Sequence, residues 1–250
     1  MVILCVSGGT IYNLVFIFEV YYIPTQQALD LTKSQMGTLM GVFGAVSLLS
    51  YSPGGWLADR VSSRKLITLA MLLAGGTGFY YATFPSYPVA LVLHAFWGIT
   101  IALIFWNAMI RATRNWAPSS QQGRAFGYLE AGRGLAGIVP ASILLGVFSW
   151  LGSTRMALAT VISSWSAIIV LCGVAAWFVL EDDFPSALLI NKQACCDFLN
   201  QNEYAVLWTI IGEKQVIDKN FLNRKVLNIS GAYVLEQGKI TGKLNCSLKD

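Results

Sequence analysis

Gly54-Gly55-Trp56-Leu57-Ala58-Asp59-Arg60-Val61-Ser62-Ser63-Arg64-Lys65 separates two long apolar runs. It sets one carboxylate, Asp59, among Arg60, Arg64 and Lys65 in a turn too short to form a domain. A turn of this kind is stable at a membrane surface, where it joins two spans. Lys and Arg are retained on the cytoplasmic side of a bilayer, so these cations put the turn there.

The composition agrees. Of 250 residues, 55% are apolar and only 12% charged, where a soluble chain carries about 25% charged residues. Residues 1–32 contain no Lys or Arg, and residues 66–110 contain no Asp, Glu, Lys or Arg. The net charge of +4 sits mostly in loops, which reads as membrane orientation and not as nucleic-acid binding. Cys5, Cys172, Cys195, Cys196 and Cys246 show no CxxC or Cys/His spacing, and the chain has a single His. That argues against a zinc site, and the pattern asks for no cofactor.

Six apolar segments follow in order. The first covers 1–23, long enough for about 30 Å of hydrocarbon. It has no basic lead-in, which argues against a signal peptide and points to a natural start further upstream. Glu19 is its only charge, on a helical face with Tyr12, Val15 and Tyr22. Two readings stand for Glu19: an outer-end carboxylate in headgroups or water, or an outer-gate or proton-linked group. Asp30 to Gln35 is a polar outer turn, with Asp30 or Thr32 as N-cap. Span 2 covers 35–57, and Gly37, Gly41, Gly44 and Ala45 have the spacing that lets helices approach closely in lipid. Pro53 and Gly54 are expected to loosen its cytoplasmic end.

Span 3 covers 66–84, with Ala74, Gly75, Gly76 and Gly78 as packing points and Tyr80, Tyr81, Phe84 and Tyr87 as an outer aromatic belt. Span 4, 89–110, carries His94 near its outer end and Asn107 nearer the cytoplasm. His94 reads either as a hydrogen-bonded packing residue or as a proton carrier. Residues 111–124 form a second basic loop with Arg111, Arg114 and Arg124, and Trp116 as interfacial anchor. Span 5 covers 125–149 and span 6 156–180. Arg60, Arg64, Lys65, Arg111, Arg114 and Arg124 fall in one set of loops and only Lys33 and Arg155 in the other. Both ends of the block are therefore expected in the cytoplasm.

Within span 5, Glu130 and Arg133 lie roughly 9 and 14 Å in from Arg124 at the helical rise. A bare Arg at such depth costs at least ~2.5 kcal/mol and should face protein or water. The spacing allows a mutual ion pair. The alternatives are a structural pair locking span 5 to a neighbour, and a central-cavity Arg that binds an anionic substrate.

Gly55-x-Leu57-Ala58-Asp59-Arg60 followed by Arg64 resembles the signature loop between spans 2 and 3 of the major facilitator superfamily, with Ser62 where the family usually has Gly and Ser63 where it has a basic residue. Gly123 to Gly134 resembles the same region in a bacterial branch of that family. It lacks the adjacent Gly-Pro of the span-5 antiporter pattern, since Ile138-Val139 precede Pro140. The resemblance covers 1–183 and implies an all-α membrane protein, the six-helix half of a twelve-span fold, in a bacterial inner membrane. It implies a secondary transporter and not an enzyme, moving a small polar or anionic solute by alternating access. Gly55, Asp59, Arg60 and Arg64 would act in gating. Arg133, Glu130, Glu19, Asn107 and His94 are the candidate cavity or substrate residues. A single half lacks the opposite wall of the cavity, so its partners are membrane lipid, the solute, and a homodimer mate or a separate second half. A non-transporting membrane half, structural or sensory, is the competing reading.

Residues 184–250 are mixed polar, and their longest apolar run, Tyr204–Gly212, is too short to cross. They are expected to be a cytoplasmic tail of truncated or foreign sequence. Ala232 to Ile240 reads as two strands about a Gln237-Gly238 turn and resembles the last strands of an ABC-transporter ATPase. No GxxxxGK[ST] loop is present, which counts against an ATP-driven component. The sequons at Asn228 and Asn245 lie on the cytoplasmic side and are not expected to be glycosylated.

Overall fold

The computed structural model describes residues 1–181 and, beyond them, the strands 205–209, 214–217, 229–236 and 239–244. The chain divides into two units, Met1–Asp183 and Phe184–Asp250. The described part of the first is entirely helical. The N-terminal segment is not one straight span. It is α1 (Val2–Val15), α2 (Ile17–Val20) and α3 (Tyr22–Leu29), interrupted at Phe16 and Tyr21, both of which leave helical geometry. Those breaks dissolve the single face expected for Tyr12, Val15, Glu19 and Tyr22. Val15 is buried, whereas Glu19 and Tyr22 are exposed.

Asp30 is not an N-cap. It ends α3 in the left-handed conformation at φ 52°. Thr32 is the N-cap of α4 (Lys33–Ala58), in a capping box with Gln35, so two orphan donors of the first turn are satisfied reciprocally. Pro53 removes one donor from α4, yet the helix runs on to Ala58. α5 (Ser63–Tyr81) follows after a short turn. α6 (Tyr87–Gly98), a π-helical segment Ile99–Trp106 and α7 (Asn107–Trp116) form one continuous rod. The basic stretch expected to be a loop is thus helical to Trp116. Arg111, on α7 itself, is only 4% exposed. α8 (Gln122–Trp150) and α9 (Arg155–Val179) complete the unit. Thr154 caps α9 by accepting from the Ala157 N–H at 3.1 Å.

Among the described residues, three helices are long and apolar enough to cross a membrane: Tyr87–Trp116, Gln122–Trp150 and Arg155–Val179. α5 packs on α9, α1 on α8, and α4 on the rod of α6 and the π segment. Buried apolar side chains such as Ile11, Leu39, Ile67, Trp97 and Trp165 line these seams. Lipid is as apolar as Leu, so close fit and not exclusion from water holds such helices together. Gly75 and Gly78 of α5 supply that fit, because a Cβ on either would run into Ser166 of α9. Gly76 does not, nor do Gly37, Gly41 and Gly44 of α4, where a Cβ would meet open space among the described residues. Tyr81 also departs from the expected aromatic belt. It is buried, stacked edge-on against Trp97 with ring centroids 5.2 Å apart.

The second unit is not helical in its described parts. β1 (Ala205–Thr209), β2 (Lys214–Ile217), β3 (Ile229–Glu236) and β4 (Lys239–Leu244) form an antiparallel sheet in the order β2-β1-β3-β4. The expected strand pair is present, with Glu236 opposite Lys239. The Gln237-Gly238 turn, the sequon asparagines and Cys195, Cys196 and Cys246 lie outside the described residues.

Candidate functional site: the Arg133 cluster and the signature loop

α1 and α8 cross where both are thinnest. A Cβ on Gly9 would run into the backbone oxygen of Arg133 and lie 2.9 Å from Ala136 Cβ. The missing side chain lets the two backbones touch. One residue earlier, a Cβ on Gly8 would lie 2.9 Å from Arg133 Cδ and 2.7 Å from Met109 Sδ. The Arg133 stem therefore lies across the bare backbone of α1.

That placement fixes the guanidinium. Arg133 Nε donates to the Gly8 carbonyl at 3.3 Å, and Nη1 donates to Glu130 Oε1 at 2.6 Å. Its carbon centre stands 5.1 Å from the Trp106 ring centroid and 5.9 Å from that of Tyr12. The Tyr12 and Trp106 rings meet edge-on, 6.3 Å apart. The Arg133 side chain is 16% exposed and Glu130 60%. The desolvated cation is thus compensated by a carbonyl, a carboxylate and two aromatic faces. Its Nη2 has no hydrogen-bond partner among the described residues, which leaves one planar edge for an incoming anion.

The spacing of Glu130 and Arg133 already suggested their pairing. Gly8, Tyr12 and Trp106 were not expected as neighbours of Arg133, although a Gly8-Gly9 doublet inside an apolar helix is a visible signal of close approach.

The signature loop lies at the C-terminal end of α4. Asp59 is exposed, caps α4, and makes no ion pair among the described residues. Arg60 turns away from it. Its guanidinium lies 4.0 Å from the Trp56 ring centroid. Arg64 stands 4.8 Å from the Trp177 ring of α9. Gly55 has open space where a Cβ would be, whereas Gly54 is tight. A Cβ there would lie 2.5 Å from Asn107 Nδ2 and 2.9 Å from the Ala102 and Leu103 carbonyls. Asn107 itself donates to Ala102 O at 3.3 Å and to Tyr51 O at 3.4 Å. It bridges α4 to the rod.

The remaining candidates are not brought together with Arg133 by any described contact. Glu19 is exposed on α2. His94 is fully buried among Phe18, Tyr81 and Trp97. Its Nδ1 donates to Ala90 O at 2.8 Å, a contact that places the proton on Nδ1.

A family model described as Major Facilitator Superfamily matches residues 1–235. The chain belongs to the Major Facilitator Superfamily. It is 33% identical over 180 residues to "Inner membrane protein YihN" of Escherichia coli, covering 72% of this chain and 43% of the relative. It is 32% identical over 184 residues to "Inner membrane protein YqcE" of Escherichia coli, covering 73% and 43%. With the "Probable galactarate/D-glucarate transporter GudP" of Bacillus subtilis it shares 30% identity over 157 residues, 60% of this chain and 31% of that one. The match thus spans less than half the length of each of these three relatives. The match to residue 235 runs past the helical unit and into β3.

Proposed function

We propose that residues 1–183 form a six-span half of a secondary transporter in a bacterial inner membrane, with both ends of the block in the cytoplasm. It moves a small polar or anionic solute by alternating access. The opposite wall of the path comes from a second half or a second copy of this chain. The observation that carries the reading is Arg133, whose Nη2 edge is left free beside Tyr12 and Trp106. Aromatic faces suit the C–H face of a polyol, and a guanidinium suits a carboxylate. The Bacillus subtilis relative, named a probable galactarate/D-glucarate transporter, supports a solute of that chemistry. Asp59, Arg60 and Arg64 serve the change of access state, and residues 184–250 form a separate cytoplasmic tail.

The test is galactarate uptake by cells expressing this chain alone, and by cells that also carry the remaining length of a relative. Uptake in either setting that disappears in Arg133→Leu supports the reading. Absence of uptake in both, with the chain folded and inserted, leaves a non-transporting membrane half instead.

A further inference from the structure

The π-helical segment Ile99–Trp106 is the least ordinary backbone in the helical unit. π turns are rare, are wider than α turns, and arise where one extra residue is accommodated inside a helix. Here the wide turn has a specific seat. The Ala102 and Leu103 carbonyls lie against Gly54 of α4, at a separation that any Cβ on residue 54 would close. At the segment's other end the relation is reciprocal. A Cβ on Gly98 would lie 3.0 Å from the Phe43 carbonyl of α4. Asn107, the first residue after the segment, adds a side-chain donor to Ala102 O and reaches across to Tyr51 O. The last π residue is Trp106, which faces Arg133.

We propose that Ile99–Trp106 is a two-state element: in the π state it holds Trp106 against Arg133 and Asn107 against α4, and conversion to α-helix releases both contacts together. The geometry supplies the coupling. Each residue of an α-helix turns the chain by about 100°. Taking up the extra residue therefore rotates α7 relative to α6 by about that angle. Trp106 then leaves the guanidinium, and Asn107 leaves the segment of α4 that ends at the signature loop. No backbone hydrogen bond is lost overall, because the i→i+5 bonds are replaced by i→i+4 bonds. The same rotation carries Ala108, Met109, Arg111 and Thr113, which α7 buries, so the two states differ in how α7 packs on its neighbours. The element thus joins the Arg133 cluster to the α4 end of the Asp59 turn through contiguous contacts. The inference concerns this half's own conformations and holds whether or not the chain transports.

The test is 19F NMR of the full chain in phospholipid nanodiscs, labelled with 5-fluorotryptophan, with the Trp106 signal assigned by Trp106→Phe. The wild type is expected to show Trp106 in two positions, or at a population-weighted average. Gly54→Ala crowds the wide turn, and deletion of Ile104 removes its extra residue. Both are expected to move the signals of Trp106 and of Trp116, which closes α7, to the same new positions, while those of Trp97, Trp150 and Trp165 stay in place. A Trp106 signal that stays put in both variants overturns the proposal. So does loss of the folded spectrum in both, since a π turn that cannot convert is a fixed element. Should only the deletion unfold the chain, Gly54→Ala decides.

Discussion

Arg133 lies across Gly8: its Nε donates to the Gly8 carbonyl at 3.3 Å, on a stretch of α1 where a Cβ would displace the Arg stem. A charged side chain is thereby held by the backbone of another helix as well as by its own neighbour Glu130. In lipid this matters more than in water, because helices gain little from burying apolar area against each other and much from close contact.

The glycines of α1 and α4 therefore separate into two kinds. Gly9→Ala pushes a methyl group into the Arg133 backbone and Ala136 and is expected to destabilise the helical unit by about 1–3 kcal/mol. Gly8→Ala meets only the flexible stems of Arg133 and Met109 and should cost less. Gly41→Ala meets open space and should be neutral or stabilising by a few tenths of a kcal/mol up to about 1 kcal/mol, from helix propensity. Thermal unfolding of the three purified variants in one detergent checks the order. Equal losses at Gly9 and Gly41 would contradict the packing described.

Asp59→Asn is expected to leave insertion and folded yield unchanged, within about 0.5 kcal/mol. The carboxylate is exposed and carries no ion pair among the described residues. Uptake in a full-length or complemented context is expected to fall, because a carboxylate beside Arg60, Arg64 and Lys65 is placed to meet whatever docks on this face. Unchanged uptake in the variant would leave Asp59 as the end of a helix and nothing more.

Reporter fusions give the orientation. A fusion after Asp183 and one in the Ala117–Gln121 turn should both report a cytoplasmic location, and one after Gly152 an outer location. Arg60, Arg64, Lys65, Arg111, Arg114 and Arg124 on one side outnumber Lys33 and Arg155 on the other. An outer signal after Asp183 would overturn it.

Much of this was legible in sequence, for identifiable reasons. Charge-free runs and the Asp59 turn mark helices and their ends, because a charge in hydrocarbon is costly wherever the helix points. The Glu130–Arg133 pair was legible because i,i+3 neighbours meet on any helix. What was not legible depends on facing. Gly37, Gly41 and Gly44 have the same spacing as a packed seam, but no described helix packs against them. Pro53-Gly54 reads as a weak point of α4, yet a Cβ on Gly54 would lie 2.5 Å from Asn107 Nδ2. Tyr81 reads as a surface aromatic and lies in the core. Arg111 reads as a loop residue and sits buried on α7, since sequence shows where polarity begins and not how far a helix continues past it. The π turn at Ile99–Trp106 has no signature in an unbroken apolar run.

The ion pair in α8 can be divided by a double-mutant cycle. Glu130 is 60% exposed, so screening limits the Coulombic part of the pair, and its coupling energy is expected to be about 0.2–1 kcal/mol. Arg133 does more than Glu130, because it also bonds Gly8 and stacks beside Trp106 and Tyr12. Glu130→Gln should therefore cost little folded yield, and Arg133→Leu distinctly more. The double variant should resemble Arg133→Leu, since Glu130 freed of its partner reaches water. Arg133→Lys separates structure from recognition. It keeps the charge and most of the stem, so folded yield should be close to that of the wild type. It loses the planar edge at Nη2, so affinity for a carboxylate solute should fall at least about tenfold. The measurements are folded yield and solute affinity for the four variants in a context that transports. Normal uptake in the double variant would remove the recognition role and leave Arg133 as the peg that fastens α8 to α1.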